Sequence, residues 1–315
     1  MGFFASLINS MPSAVAQGLI WGIMAIGVYL TYRILDVADL TVDGSLGTGG
    51  AVCVVMVLNG MPVGLALLAA TAAGMLAGLV TGLFHTACGI PAILAGILTQ
   101  LALYSVNLRI MGFGTGGGKA NLPISVDKYG LLVSARYVRN VALNNPILIL
   151  TIFCAVLITV LYWFFGTELG CSLRATGANQ NMARAQGINT NVTKVLGLMI
   201  SNGLVALAGG LLAQYQGFSD INMGRGAIVI GLAAVIIGEV IFSRIFRNFA
   251  LKLLSAVIGA IIYYIVMVFV LRLGLSTDDL KLLTALVVAL FLTIPYWKGK
   301  YFTKTSVKKG EKNHA

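Results

Sequence analysis

Apolar runs of about 18 to 22 residues recur along the whole chain, a length matched to the hydrocarbon thickness of a bilayer. They place spans near 12–32, 46–60, 63–84, 92–111, 146–166, 195–216, 226–243, 250–270 and 280–297. In lipid only helices and closed barrels satisfy their own backbone groups, and barrel strands would show short alternating segments. The predicted fold class is therefore all-α, a polytopic membrane helical bundle of about nine transmembrane spans. Composition agrees, since 58% of residues are hydrophobic and only 10% charged, whereas an ordinary soluble domain carries about 25% charged residues.

Charge sets the expected orientation. The tail after Trp297 holds Lys298, Lys300, Lys304, Lys308, Lys309 and Lys312 against Glu311. The positive-inside rule places such a C-terminus in the cytoplasm. Residues 1–297 are then a membrane domain and 298–315 a basic cytoplasmic tail, which suits anionic lipid better than nucleic acid. Alternation puts Arg244, Arg247, Lys252 and the segment 167–194 inside, and puts Asp220, Asp278, Asp279 and the N-terminus outside. The 112–145 connection runs against the rule, since it carries Lys119, Lys128, Arg136 and Arg139 on the outer side. No cleavable signal is expected, because "MGFFASLINSMPS" lacks a positive leading region and a small-residue cleavage site.

Little in the chain supports covalent chemistry. The histidines are His85 and His314, and Cys53, Cys88, Cys154 and Cys171 are scattered singly, so neither a metal site nor a disulfide framework is expected. "GFGTGGGKA", 112–120, ends like a phosphate loop, but Phe113 and Ala120 stand where that motif needs Gly and Ser or Thr. No catalytic triad, acid and base pair or cofactor fingerprint is present, and no cofactor is expected.

What remains is polar residues beside the apolar runs. "LDVADLTVDGSLGTGG", 35–50, gathers Asp36, Asp39 and Asp43 with Thr41 and Ser45. Here a helix is expected to end at Asp36, run irregularly through Gly44 and restart near Ser45, with Ser45 as its cap. Such interruptions line pathways in membrane proteins. The aspartates either shape or gate a pathway or serve the fold, capping the broken helix and pairing with Arg33. Gln100, Asn107 and Arg109 fall toward one end of the fourth span, Asn202 within the sixth and Glu239 late in the seventh. Glu239 faces either an interface or a cavity. Gly18 with Gly22, and Gly74, Gly78 and Gly82, recur at spacings of four, which lets membrane helices approach closely.

The polar segment "LGCSLRATGANQNMARAQGINTNVTKVLGLMISNGLVALAGGLLA", 169–213, resembles the cytoplasmic coupling segment of bacterial ABC importer permeases of the branched-chain amino acid and ribose type. The matching places are Gly170, Arg174 with Ala175, Gly177 with Asn179, Ala183 to Ala185, and Gly187-Ile188-Asn189. "DLTVDGS", 39–45, looks like the family's "DLSVG" with an extra Asp43. "GLAAVIIGEVIF", 231–242, looks like its "AAVIIGG" with Glu239 where a second Gly is usual.

The resemblance implies a transport subunit and no enzyme, nearest a subgroup associated with amino acids, aromatic ones included. It implies a homodimer of permeases, a cytoplasmic ABC ATPase dimer and an extracytoplasmic solute-binding lipoprotein. On it, residues 169–192 form the coupling segment, with Arg174, Gly177, Asn179, Arg184, Gly187 and Ile188 docking the ATPase. Asp36, Asp39, Thr41, Asp43, Ser45, Gln100, Asn107 and Glu239 are the candidates for the pathway or gate. An ion-gradient-driven secondary transporter or channel is the alternative function.

Overall fold

The computed structural model describes residues 3–114, 116–126, 128–138, 145–242, 245–246 and 248–272, and beyond them 282, 284–286, 288–290 and 293. The 298–315 tail, most of the expected span at 280–297, and Arg139, Arg244, Arg247, Asp278 and Asp279 lie outside the described residues. In chain order the helices are α1 (Phe3–Tyr29), α2 (Val42–Leu58), α3 (Val63–Thr86), α4 (Ala92–Met111), α5 (Pro146–Gly166), α6 (Glu168–Ala178), α7 (Gln180–Ala185), α8 (Thr190–Gln216), α9 (Ala227–Phe242) and α10 (Phe249–Arg272). Two short strands, β1 (Asn121–Pro123) and β2 (Phe218–Asp220), pair antiparallel with Leu122 opposite Ser219. That ribbon is an addition to the all-α expectation.

Among the described residues, six helices are long and apolar enough to cross a membrane: α1 with its extension to Ile34, α3, α4, α5, α8 and α10. Two of the expected spans are shorter, with 17 residues in α2 and 16 in α9. At about 1.5 Å per residue each reaches roughly 25 Å, less than a hydrocarbon core of about 30 Å. They are part-spans, and their N-termini begin inside the bundle.

The packing shows where. Helices α1 and α8 are buried on most sides and form the centre. The glycines spaced by four are its seams. A Cβ on Gly74 or Gly78 of α3 would meet the backbone of Asn202 or Leu198 of α8, and one on Gly82 would meet Val195. Gly18 and Gly22 of α1 lie in the same way against Ile261 and Val257 of α10. In lipid, where no hydrophobic drive separates helix from solvent, this backbone proximity is the source of attraction. By contrast Leu148, Ile152, Val156 and Val160 expose one face of α5 at a spacing of four, a surface suited to acyl chains.

The bundle has two ends. One carries α6 and α7, against the C-terminal end of α1: a Cβ on Gly177 would strike the Ile34 carbonyl. The other carries the β ribbon. Helix α2 starts beside Asn202, midway along α8, through the Ser45 hydroxyl donating to Asn202 Oδ1 at 2.6 Å. From there it runs to the ribbon end, where the Tyr129 hydroxyl donates to the Leu58 carbonyl at 3.4 Å. Residues 221–226 descend from β2 along α2 until Gly224 meets the Asp43 backbone. Helix α9 then runs the other way, to the α6 and α7 end, where Glu239 meets Arg33. Two part-spans thus diverge from one level, their N-termini together.

Gly78→Ala is expected to lower the melting temperature of the detergent-purified chain, the Cβ costing about 1–3 kcal/mol by forcing α3 away from α8. Gly64→Ala, where a Cβ meets nothing within 4 Å, is expected to leave it unchanged or slightly raised. Equal melting temperatures for the two variants would count against the seam.

Candidate functional site

The interruption after α1 is built by specific residues. The helix leaves α geometry at Leu30–Ile34 through a π turn. Leu35 N–H then donates to the Leu30 carbonyl and Val37 N–H to that of Thr31, each at 3.0 Å. Asp36 takes φ +53, a left-handed conformation that Asp tolerates better than most side chains, and turns the chain back into the bundle. Residues 40 and 41 cross α4 at Gly96, where a Cβ would sit 2.8 Å from the Leu40 nitrogen. The helix resumes at Val42, three residues before the expected Ser45. Ser45 lies inside α2 and caps nothing.

The three aspartates part company. Asp36 is exposed. Asp39 is 3% exposed, and its carboxylate accepts from the Thr41 N–H at 2.9 Å and from Asn202 Nδ2 at 2.7 Å. Asn202 Nδ2 also donates to the Leu198 carbonyl at 3.0 Å, while its oxygen takes the Ser45 hydroxyl. The Thr41 hydroxyl lies 2.7 Å from that of Thr81, which donates to Thr99 Oγ1 at 2.9 Å. Thr41, Ser45, Thr81, Thr99 and Asn202 are all buried, so this chain ties the interruption to α3, α4 and α8. It is a satisfied network, the only economical form for polar groups in a low-dielectric interior.

Asp43 acts elsewhere. Its two oxygens accept from the Gly226 and Ile228 N–H groups, each at 2.9 Å. A side chain of α2 therefore caps the N-terminus of α9, supplying negative charge where unpaired N–H groups and the helix dipole favour it. None of the three aspartates pairs with Arg33, the structural alternative considered from the sequence. Arg33 Nε instead donates to Glu239 Oε1 at 2.8 Å, joining α1 to α9 with Arg33 half exposed. Glu239 thus sits at the α6 and α7 end, in an ion pair.

Beside the capped terminus lies a cavity of about 300 Å³. Asp43 and Gly44 of α2, Gln100, Tyr104 and Asn107 of α4, and Arg225 line it. It brings together three residues picked from the sequence, Asp43, Gln100 and Asn107. Asp36, Asp39, Thr41, Ser45 and Glu239 lie away from its walls. Tyr104 and Arg225 were missed. Arg225 sits in what read as an outer loop around Asp220, and no periodicity signalled that this segment turns inward. Asn107 is 2% exposed, and its Nδ2 reaches the Gly44 carbonyl at 3.4 Å. Its Oδ1 has no hydrogen-bond partner.

At the other end, the segment flagged at 169–192 forms a two-helix elbow. Thr167 caps α6 by accepting from the Gly170 N–H at 3.4 Å. Asn179 ends α6 and caps α7, accepting from the Asn181 and Met182 N–H groups at 3.0 and 3.1 Å. Gly187, at φ +79, ends the second turn, and Asn189 caps α8. Arg174 is exposed and lies over the Phe249 ring, 5.7 Å from its centroid. Arg184 Nε donates to Thr190 Oγ1 at 2.9 Å, so it also braces the elbow against α8. Ile188 is half-buried.

Comparison with known proteins gives the family. Residues 10–294 match the family described as branched-chain amino acid transport system / permease component. The tyrosine transport system permease protein of Clostridioides difficile (strain R20291) is 41% identical over 284 residues, covering 90% of each chain. The autoinducer 2 import system permease protein LsrC of Salmonella paratyphi B (strain ATCC BAA-1250 / SPB7) is 26% identical over 239 residues, 74% of this chain and 64% of that one. Among solved structures, PsaBC from Streptococcus pneumoniae in complex with Fab superposes with a TM-score of 0.50 at 16% identity, covering 96% of this chain and 95% of that one. At that identity it speaks for the fold alone.

Removing the Asp43 carboxylate is expected to destabilise α9. Asp43→Ala leaves the Gly226 and Ile228 N–H groups unpaired and should cost about 1–2 kcal/mol, with Asp43→Asn in between because one amide oxygen still accepts. Melting temperatures of the purified variants should rank wild type, Asn, Ala. Asp39→Asn sets an amide NH2 against a donor that needs an acceptor, and is expected to cost about 1–3 kcal/mol. Unchanged stability in Asp39→Asn would show that the carboxylate is not a structural acceptor.

Proposed function

We propose, from the premise that the chain belongs to the permease-component family of branched-chain amino acid transport systems, that it forms the membrane pathway of an ATP-driven, binding-protein-dependent importer. The chain is a membrane transport subunit, and its solute on this proposal is an amino acid, aromatic or branched-chain. Its partners are a second copy of the chain, a dimer of cytoplasmic ABC ATPases and an extracytoplasmic solute-binding lipoprotein. The α6 and α7 elbow receives the ATPase, and the basic C-terminal tail lies on the same cytoplasmic side.

One observation carries this proposal: an unbroken line of contacts runs from the elbow to the cavity. Gly177 of α6 rests on the Ile34 carbonyl. Arg33, next to it, holds Glu239 of α9. Helix α9 ends on Asp43 at the cavity wall. A displacement of the elbow by ATP-driven closure of the partners would therefore shift α9, and with it the floor of the cavity. Coupling of this kind needs a packed element with two arrangements that both sites bias, and α9 is short enough to tilt as a unit. In this account Asp43, Gln100 and Asn107 face the pathway, whereas Asp39, Thr41 and Ser45 hold the interruption in shape. The ion-gradient alternative drew its support from the intramembrane acids. Asp39, Asp43 and Glu239 are each taken up by protein donors, which weakens it.

Two measurements test the proposal. Arg174→Glu is expected to insert normally and retain ATP hydrolysis by the co-purified ATPase while uptake falls by about tenfold or more, because a cation facing the partner is reversed. Normal uptake would contradict the docking role. Sidedness follows from the native thiols, since Cys88 and Cys171 are exposed and Cys53 and Cys154 buried. An impermeant maleimide should label the chain in inverted vesicles and not in intact cells. Labelling of Cys171 from outside intact cells would place the elbow on the wrong side of the membrane.

A further inference from the structure

We infer that the cavity between α2, α4 and the 221–226 segment is a binding site for a zwitterionic α-amino acid in transit, with Arg225 reading the carboxylate and Asn107 with Asp43 reading the ammonium group. This rests on the permease function proposed above and goes beyond it by giving the pathway a chemically selective station. The cavity's volume of about 300 Å³ lies at the lower end of small-molecule sites, about 300–1,000 Å³.

Its charges are arranged as a pair of opposites. Arg225 presents a planar fork of N–H donors that matches a carboxylate, and it forms no ion pair with a described residue. It stands immediately before the N-terminus of α9, whose Gly226 and Ile228 N–H groups are already taken by Asp43, so the guanidinium alone supplies the pole for an anion. The opposite pole comes from acceptors. Asn107 Oδ1 is buried and unpartnered on the wall of the cavity, a state that costs free energy until a donor arrives. The Asp43 carboxylate has about four lone-pair directions and faces the Gly226, Ala227 and Ile228 N–H groups, which leaves room for one further donor. An ammonium group, with three N–H donors, meets both acceptors. Between the poles, Leu101, Tyr104 and Ile221 give an apolar wall for the side chain of the solute. A neutral sugar would leave Arg225 unanswered, and a simple amine or a simple acid would answer only one pole.

The test is uptake of a labelled mixture of the common L-amino acids by cells carrying the full transporter, with wild-type chain, Arg225→Gln, Arg225→Lys or Asn107→Leu at matched membrane levels. Arg225→Gln and Asn107→Leu are expected to lower the maximal rate at least about tenfold, the worth of one charge-assisted hydrogen bond. Arg225→Lys should recover part of the loss. ATP hydrolysis stimulated by the loaded binding protein should persist in all of them. Wild-type uptake in both Arg225→Gln and Asn107→Leu would overturn the site while leaving the permease assignment standing. Loss of stimulated hydrolysis along with uptake would assign these residues to the fold and equally overturn the site. A wild-type chain that imports nothing from the mixture would remove both the amino acid assignment and the site.

Discussion

The structure depends on how two helix N-termini are satisfied inside a bilayer. A chain that stops and restarts a helix at membrane depth bares backbone N–H groups where no bulk water can meet them. Two carboxylates answer that demand. Asp39 takes the Thr41 N–H at the start of α2, and Asp43 takes the Gly226 and Ile228 N–H groups at the start of α9. Without them those N–H groups would be left unpaired at a cost of about 1–3 kcal/mol each. With them, the bundle contains a level, midway through, at which two helices begin in opposite directions and a cavity fits between their starts.

Close backbone packing makes that level rigid. The centre of the bundle is α8, approached by α3 through Gly74 and Gly78 and by α2 through Gly49, whose Cβ would strike the Ala206 backbone. Such contacts tolerate little sliding, because protein interiors repack in steps more readily than they deform. Helix α9 combines both kinds of fastening. Its Gly238 lies against the Ser255 backbone of α10 and Gly259 of α10 against its Ala234 carbonyl, while its ends are held by polar bonds, Asp43 at one and Arg33 at the other. A shift of α9 would carry α10 with it, with the polar bonds at its ends exchanging partners.

Much of the arrangement was legible in the residues. Eight of the nine apolar runs coincide with helices among the described residues, because periodicity and length speak directly to lipid. The glycines spaced by four were seams, since a missing side chain has one reason to recur on a buried face. The interruption at Asp36 was visible because three acids cannot sit in a helix against hydrocarbon without a reason. What escaped was relational. Nothing local shows that Asp43 caps a helix nearly two hundred residues on, or that Arg33 prefers Glu239 over a neighbouring aspartate. Arg225 escaped for a related cause: the stretch "SDINMGRGA" is polar and glycine-rich, as a surface loop is, and its descent into the bundle is fixed only by contact with α2. The bounds of α9 were read to within one residue at each end, but its apolar run gives no sign that its N-terminus meets Asp43 inside the bundle.

Asp43 and Glu239, the two acids that stand out in the stretches resembling the family's motifs, turn out to be the two fastenings of the same helix. One acid alone would be a local substitution with a local effect. Two acids, one on α2 reaching α9 and one on α9 reaching α1, convert a helix held by packing into a helix held at each end by a carboxylate. On the proposed function, the consequence would be a link between solute and elbow: an ammonium group entering the cavity would draw on the Asp43 carboxylate at the start of α9, and a shift of α6 against Ile34 would disturb Arg33 at its end. Because both events act on one element, each changes the free energy of the other, and that mutual dependence is what coupling means in thermodynamic terms. The acids that first seemed out of place in so apolar a chain would then be the means by which its two ends sense each other.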